Sequence, residues 1–393
     1  MRHLLLFDVD SVLVEPTGYL RALQDAVAYF SERLGVGTHP PSEDEVRNCE
    51  ALGLTSEWDS GAACVAALLV ERVAAEPDLQ LPDTWPAAVA LLAARPHPLP
   101  HPDYAALAQR VGALIDADTT TATAARRALS TMVREAHLPP ATSAALDTLL
   151  HALLGHTHDF YQAPFTRHFQ HLAVGSRAIE PTYGVAPDFA SSAYLLDYDV
   201  PLLSPESRAR VNDLAAGGVG VALYTARPSL PPADIPVSAR GYSPEAELAS
   251  ELVGMARYPL IGLGSVRWLA EQTGRLVDEF VKPSPVQALA AIGAAAGAAE
   301  AESTALHAAY ALAIDGALQP PLSDLPATTV HVFEDTVGGI GAVEHAVELL
   351  CAAGCVAECR AYGIVTSPGA KGERMAERGI PQFRTVNEAL DYL

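Results

Sequence analysis

The chain has 393 residues, of which 50% are hydrophobic and 18% are charged, a composition that excludes a disordered protein and leaves room for two domains. Its net charge is −22 and its sequence pI is about 4.9, so it repels polyanions, and we expect neither nucleic acid nor membrane among its partners. Lysine occurs only at Lys282 and Lys371. An anionic substrate would need a local positive centre, which makes both lysines informative.

The N-terminus and the cysteines bear on the location of the protein. The first residues, MRHLLLFDVD, hold too short an apolar stretch for a signal peptide, and no apolar run reaches the roughly 18 residues that span a bilayer. We therefore expect a cytoplasmic protein. The 5 cysteines argue against a disulfide scaffold, and we expect buried thiols. A metal-binding stripe at Cys351, Cys355 and Cys359 is less favoured because Gly354 interrupts the helix that it requires.

The predicted elements, in chain order, describe one α/β domain with a helical insertion. Residues 3–7 have the composition of a strand. Apolar spacing then predicts helices over 17–34, 42–52, 60–75, 84–94, 103–115, 119–136 and 141–155. A capped helix at 204–218 precedes apolar runs at 219–228, 258–264, 279–283, 328–335 and 357–365, which alternate with helices. This alternation predicts a doubly wound parallel sheet built from residues 1–14 and 197–393, with residues 15–196 inserted after the first strand.

Two further segments allow a structural prediction but no functional one. Residues 291–327 are rich in alanine and end in LQPPLSDLP, which predicts two exposed helices and a proline loop between neighbouring strands. The stretch 151–171 holds five histidines whose spacing fits no closed zinc site well, so we favour histidines at the surface or at a hinge. Those histidines are His151, His156, His158, His168 and His171.

Polar residues follow the apolar strands at the point where each strand ends. Ligands of an open parallel sheet bind at the carboxyl ends of its strands, so these residues are candidates for a site. Clustered carboxylates without histidine or cysteine suit Mg²⁺, and a carboxylate can attack phosphorus while an ammonium and a hydroxyl group hold the phosphoryl oxygens. The set consists of Asp8 and Asp10 after HLLLF, Thr225 after GVALY, Lys282 after DEFV, and Glu334 with Asp335 after VHVF.

The order and content of these stretches resemble the haloacid dehalogenase-like (HAD) superfamily, subfamily I with a C1-type helical cap. The resemblance covers roughly 1–14 and 197–393. Ser11 stands where the first motif often has glycine, and the cap is larger than usual. The matching stretches are DVDSV for the first motif, LYTARP for the second, VKPSP for the third and FEDTVGGIGA for the fourth in its Glu-Asp form.

The resemblance implies a Rossmann-like core with an inserted cap and a Mg²⁺-dependent phosphatase that acts on a small phosphorylated metabolite through an aspartyl-phosphate. A phosphomutase and a non-catalytic binding or regulatory protein stay open as alternatives. A phosphonatase is disfavoured because residues 15–195 contain no lysine, and a dehalogenase is disfavoured because the second aspartate of the first motif is present. The implied roles are Asp8 as nucleophile, Asp10 as general acid and base, Thr225 and Lys282 as phosphoryl ligands, and Asp8, Asp10 (through its carbonyl), Glu334 and Asp335 as ligands of Mg²⁺.

Four residues are candidate substrate contacts. Trp58 and Asp59 in LTSEWDS precede a predicted helix, where they either line a pocket or begin the helix with a hydrophobic staple. Arg227 follows Thr225 by two positions and faces either substrate or solvent. Arg47 is a candidate, among the arginines of the insertion, for holding an anionic substrate.

Overall fold

The structure, a computed structural model, describes residues 1–116, 119–236, 241–297, 302–366 and 369–393. Their contacts divide the chain into two compact units. The sheet unit comprises Met1–Pro16, Pro181–Gly184 and Tyr198–Leu393, and the helical unit comprises Thr17–Glu180 and Val185–Asp197. The grouping of Pro181–Gly184 with the sheet could not be predicted from the sequence pattern. No helix in the described part of the chain is long and apolar enough to cross a membrane.

A six-stranded parallel sheet organises the sheet unit, in the order β5–β4–β1–β6–β7–β8. The predicted α/β class with a parallel sheet is therefore confirmed. The short strands β2 and β3 form a separate antiparallel pair. The strands are β1 (Arg2–Phe7), β2 (Val14–Glu15), β3 (Val200–Pro201), β4 (Gly220–Tyr224), β5 (Leu260–Ile261), β6 (Thr328–Glu334), β7 (Ala357–Ile364) and β8 (Gln382–Phe383).

The central strands are buried on both of their faces. Every residue of β4 and β6 is buried, as are the last four residues of β1, which is the pattern of a parallel sheet covered on both sides. From β1 the chain builds β4 and β5 on one side and then returns to build β6, β7 and β8 on the other. The strand order therefore reverses between β1 and β6, and such a switch point leaves a crevice at the carboxyl ends of the strands.

The helical unit is built around one apolar helix. Each helix predicted between 17 and 155 is present, with ends that differ from the prediction by at most three residues. Helix α3 is buried on nearly all sides, and a Cβ atom on Gly61 would lie 2.1 Å from the ring of Phe165 in α8, so glycine permits their close approach. The helices between β2 and β3 are α1 (Thr17–Arg33), α2 (Glu43–Ala51), α3 (Glu57–Ala74), α4 (Trp85–Ala93), α5 (Tyr104–Gly112), α6 (Thr121–Glu135), α7 (Pro140–Leu154), α8 (Pro164–Val174), α9 (Ser176–Tyr183) and α10 (Tyr194–Asp197).

The histidine-rich stretch is not wholly at the surface. His171 in α8 is buried, its Nδ1 donates to the carbonyl of Arg167 at 2.7 Å, and its Nε2 accepts from the backbone N–H of Asp188 at 2.9 Å. Its ring stacks between Phe160 and Phe189. The predicted surface position is therefore wrong for His171, whose two nitrogens serve the packing of the helical unit.

Helices cover both faces of the sheet. Leu4 and Leu6 of β1 pack with α13, α14, α15 and α16, whereas Leu5 and Phe7 pack with α11, α12 and α18. The helices after β3 are α11 (Pro205–Ala216), α12 (Glu245–Leu252), α13 (Leu263–Thr273), α14 (Pro285–Ala296), α15 (Glu302–Asp315), α16 (Val337–Ala352), α17 (Ala370–Glu377) and α18 (Val386–Asp391).

Two predictions for the sheet unit are wrong. Residues 279–283 form no strand: a 3₁₀ turn at Val277–Glu279 leads into a loop before α14. The alanine-rich helices are not exposed, because α14 buries most of its residues against the sheet and α15, and α15 buries most of its own against neighbouring helices. Small side chains let these two helices approach their neighbours closely, which a hydrophobicity pattern does not reveal. Residues 298–301 of the predicted segment lie outside the described residues.

Candidate active site

Three carboxylates meet at the switch point of the sheet. Asp8 follows β1, Glu334 is the last residue of β6, and Asp335 follows it. All three are buried, and one oxygen of each lies within 4.8 Å of the others. Among the described residues, no other group of three acidic, histidine or cysteine side chains is arranged to hold a metal ion.

Lys282 lies between two of these carboxylates. Its Nζ is 2.9 Å from Asp8 Oδ1 and 3.0 Å from Glu334 Oε2, and it stands 4.6 Å from the centroid of the Tyr224 ring. Burial opposes the charge of the ammonium group, but the carboxylates of Asp8 and Glu334 outweigh it and raise the pKa of Lys282. The lysine is therefore a fixed positive charge beside Asp8.

Lys282 reaches this position from a loop instead of from the predicted strand, and the buried side chain of Gln287 holds that loop. Gln287 Oε1 accepts from the backbone N–H of Lys282 at 3.2 Å. Its Nε2 donates to the carbonyls of Thr225 and Ile261 at 2.7 and 3.0 Å. One amide thus ties the lysine loop to the ends of β4 and β5, a contact that the sequence analysis missed.

Glu334 has both carboxylate oxygens engaged. Oε1 accepts from the N–H and hydroxyl of Thr336 at 3.2 and 2.8 Å, and Oε2 accepts from the hydroxyl of Tyr224 at 2.8 Å as well as from Lys282. Burial opposes the charge of Glu334, but Lys282 and these hydrogen bonds outweigh it and lower the pKa. A Cβ on Gly339 would lie 2.0 Å from Oε2, so α16 begins against this carboxylate only because residue 339 is glycine.

Asp8 and Asp335 have more of their coordination capacity left. Asp8 Oδ1 accepts from the N–H of Val9 at 2.8 Å and from Lys282, while no described residue donates a hydrogen bond to Oδ2. Burial, reinforced by the charge of Glu334, raises the pKa of Asp8 well above its ordinary value. Burial also raises the pKa of Asp335, although its Oδ2 is paired with the ammonium group of Lys371.

Asp10 is held by an arginine that the sequence analysis placed in contact with either substrate or solvent. Arg227 is buried, and its Nε and Nη2 donate to Asp10 Oδ1 at 2.9 and 2.6 Å. Nη2 also donates to Oδ2 of Asp199 at 2.9 Å. Solvent exposure is therefore wrong for Arg227. Ser11, next to Asp10, has φ 61°, a left-handed conformation in which glycine is favoured.

Thr225 is buried at the carboxyl end of β4. Its Oγ1 accepts from the N–H of Arg227 at 3.1 Å, so the hydroxyl proton is available for another acceptor. Thr225 thus lies on the strand next to β1, where a ligand bound at the switch point would be within reach of a hydroxyl donor.

Two candidate substrate residues of the helical unit lie in the first turn of α3, which begins one residue before Trp58. Trp58 is partly buried against the rings of Tyr19 and Phe169. Asp59 is buried and accepts from the hydroxyl of Thr157 at 2.5 Å. Both residues therefore have packing partners within their own unit.

Arg47 has partners on its own helix. It lies exposed on α2 and pairs with Glu43 at 3.2 Å and with Asp44 at 2.7 Å. These exposed pairs within one helix are typical of a solvated surface.

Among the described residues at the switch point, carboxylates outnumber the cationic groups that they contact. Five carboxylates, those of Asp8, Asp10, Asp199, Glu334 and Asp335, contact three cationic groups, those of Lys282, Arg227 and Lys371. The oxygen-only donor set suits a hard ion such as Mg²⁺, and Asp8 and Asp335 are the carboxylates with capacity left to bind it.

Comparisons with known proteins show the fold and nothing more specific. No protein-family model matches the chain, and no curated protein matches it. An X-ray structure determined as a target of the Northeast Structural Genomics Consortium is similar, with a TM-score of 0.64 and 14% sequence identity over 99% of this chain and 97% of that chain. A similarity at 14% identity supports the α/β fold of this chain and carries no information about its function.

Proposed function

We propose that this chain is a Mg²⁺-dependent phosphohydrolase of the HAD type that acts on a small phosphorylated metabolite. The observation that carries the proposal is the buried pair of Asp8 and Lys282, next to Asp335 at the switch point of a parallel sheet. A carboxylate with one free oxygen, a fixed ammonium group and a cluster of carboxylates that could hold a metal ion are the groups that phosphoryl transfer through an enzyme aspartate requires.

The same proposal assigns the two units of the chain. The sheet unit would be the Rossmann-like catalytic core of this superfamily, and the helical unit, which the chain enters after β2 and leaves before β3, would be its cap. The support is the strand order and the position of the insertion directly after the first aspartates.

The chain's own residues account for both steps of the reaction. Asp8 Oδ2 attacks phosphorus, and the bond from phosphorus to the leaving oxygen breaks while the carboxyl group of Asp10 gives that oxygen a proton. Water then attacks the aspartyl-phosphate, the bond between phosphorus and Asp8 breaks, and Asp10 takes the proton from water. Lys282 and the hydroxyl group of Thr225 hold the phosphoryl oxygens throughout.

Mg²⁺ would be held by Asp8, Asp335 and the backbone carbonyl of Asp10. When bound, the ion supplies positive charge that neutralises the phosphoryl oxygens. Glu334, with both oxygens engaged, would act mainly by holding Lys282 in place.

The test is phosphate release from a panel of phosphate esters by the purified protein. We expect turnover with Mg²⁺, loss of turnover in excess EDTA, and poor substitution by Ca²⁺, because Ca²⁺ prefers more ligands and looser geometry. An Asp391→Asn variant is the matched control, since Asp391 is an exposed carboxylate paired with Arg210. Full activity in EDTA would contradict the metal assignment. Transfer of the phosphoryl group back to the organic substrate, without release of phosphate, would identify a phosphomutase.

A further inference from the structure

Arg227 is buried between two carboxylates of the sheet unit. Its side chain is 1% exposed, that of Asp199 is 0% exposed, and that of Asp10 is 36% exposed. A buried guanidinium group is stable only where its charge is compensated and its N–H groups find acceptors. The fully buried Asp199 compensates the positive charge of Arg227 independently of Asp10. Asp199 therefore holds Arg227 in place, and Arg227 in turn holds Asp10.

The bonds from Arg227 fall on one oxygen of Asp10. Nε and Nη2 both donate to Oδ1, at 2.9 and 2.6 Å, and no described residue donates a hydrogen bond to Oδ2. Two donors of one planar guanidinium group that converge on Oδ1 fix the position of this oxygen more firmly than a single hydrogen bond would. The partly exposed Asp10 therefore has a fixed oxygen and an open one.

We propose that Arg227 is the positioning residue for Asp10, with Asp199 as its anchor. The fork of Arg227 binds Oδ1 and leaves Oδ2 as the oxygen that exchanges the proton with the leaving group and with water. This inference rests on the proposed phosphohydrolase function and adds a three-residue device, Asp199–Arg227–Asp10, to the residues that carry the reaction.

The device predicts a loss that depends on the leaving group. Displacement of a catalytic group by about 1 Å can cost about 10²-fold in rate. A displaced Asp10 matters for an alkyl phosphate, whose leaving oxygen needs a proton, and matters much less for an aryl phosphate. We therefore expect Arg227→Met to lower kcat/KM, which reports formation of the aspartyl-phosphate and not its hydrolysis, by about 10²-fold on glycerol 2-phosphate and by less than about 10-fold on p-nitrophenyl phosphate.

The experiment compares four variants on these two substrates at saturating Mg²⁺. Arg227→Lys keeps the charge without the fork and should recover part of the loss on glycerol 2-phosphate. Asp199→Asn removes the carboxylate that holds Arg227, and it should cause a smaller loss of rate with the same dependence on the substrate. Arg210→Met is the matched control, because Arg210 is an exposed arginine paired with Asp391. Thermal unfolding of each variant reports the folded fraction, and if Arg227→Met does not fold, Arg227→Lys and Asp199→Asn provide the same ratio.

The outcomes separate the inference from the proposed function. An equal loss of kcat/KM on both substrates in the folded variants would mean that Arg227 acts only structurally, and this overturns the inference while the phosphohydrolase function stands. A wild-type protein that hydrolyses neither substrate, nor any ester of the wider panel, removes the proposed function itself and the inference with it.

Discussion

The two units bury charge in different ways. In the sheet unit, Lys282 contacts both Asp8 and Glu334, and each of these side chains is at most 11% exposed. In the helical unit, the fully buried Arg72 pairs with Glu76, which keeps 32% of its side chain exposed. Burying several carboxylates close together lowers the stability of the fold, so such a cluster is retained mainly where function needs it. The charge cluster of the sheet unit is therefore the basis of the proposed site, whereas local packing accounts for the contacts of Arg72.

The sharpest test of this difference replaces each buried cation with methionine. Lys282→Met leaves Asp8 and Glu334 buried without their counter-charge, and we expect it to lower the free energy of unfolding by about 3–5 kcal/mol. Arg72→Met should change that free energy by about 1 kcal/mol or less, because Glu76 can be hydrated and no described residue accepts from Arg72 Nε or Nη1. Denaturant unfolding in EDTA measures both values.

The control for this pair is Arg210→Met, which removes an exposed cation from the sheet unit. It should alter the free energy of unfolding by less than about 0.5 kcal/mol. Equal losses for Lys282→Met and Arg72→Met would show that the two units do not differ in how they hold buried charge.

A smaller effect concerns a histidine of the helical unit. His168 stacks on the rings of Tyr29 and Phe189, and burial lowers its pKa to about 4. Between this value and the ordinary 6.5 the unfolded chain binds the proton more tightly than the folded one. The free energy of unfolding therefore falls as the pH drops through that window.

We expect His168 to contribute a loss of about 1 kcal/mol between pH 7.5 and pH 5.5. His168→Phe keeps a ring for the stacking and should flatten this part of the pH dependence, measured by denaturant unfolding at both pH values. His156→Gln, at an exposed histidine of the same unit, is the control and should leave the slope unchanged. A His168→Phe variant with the wild-type slope would show that the stacked ring does not titrate in this window.

The sequence predicted the carboxylates of the site because they stand where buried strands end. Asp8 and Asp10 interrupt an apolar run, and Glu334 and Asp335 close another, so their place at the sheet edge follows from strand direction alone. Lys282 was assigned to the site through a strand that does not exist. The four residues DEFV are too few to show the alternation that distinguishes a strand from a turn. The position of the lysine depends on the tertiary contacts of its loop.

The partners that hold these groups could not be predicted from local pattern. Tyr224 and Glu334 are separated by 110 residues, and Arg227 and Asp199 by 28. Their pairing depends on which strands become neighbours. Gln287 could have been predicted to have a structural role, because it is a lone polar residue in the first turn of an apolar helix. A buried amide at such a position has to bond to backbone nearby, which here is the end of the sheet.

The most direct test of the central claim is the turnover of Asp8→Asn on the best substrate of the ester panel. The substitution keeps the shape of the side chain and removes the attacking carboxylate, so turnover should fall to background. Asp10→Asn, measured beside it, keeps Asp8 and the backbone carbonyl and removes only proton transfer. Its kcat/KM should fall about 10²–10⁴-fold on alkyl phosphates and much less on aryl phosphates, whereas hydrolysis of the aspartyl-phosphate should slow for both. If purified, folded Asp8→Asn hydrolyses the substrate at the wild-type rate, the assignment of Asp8 as nucleophile is wrong.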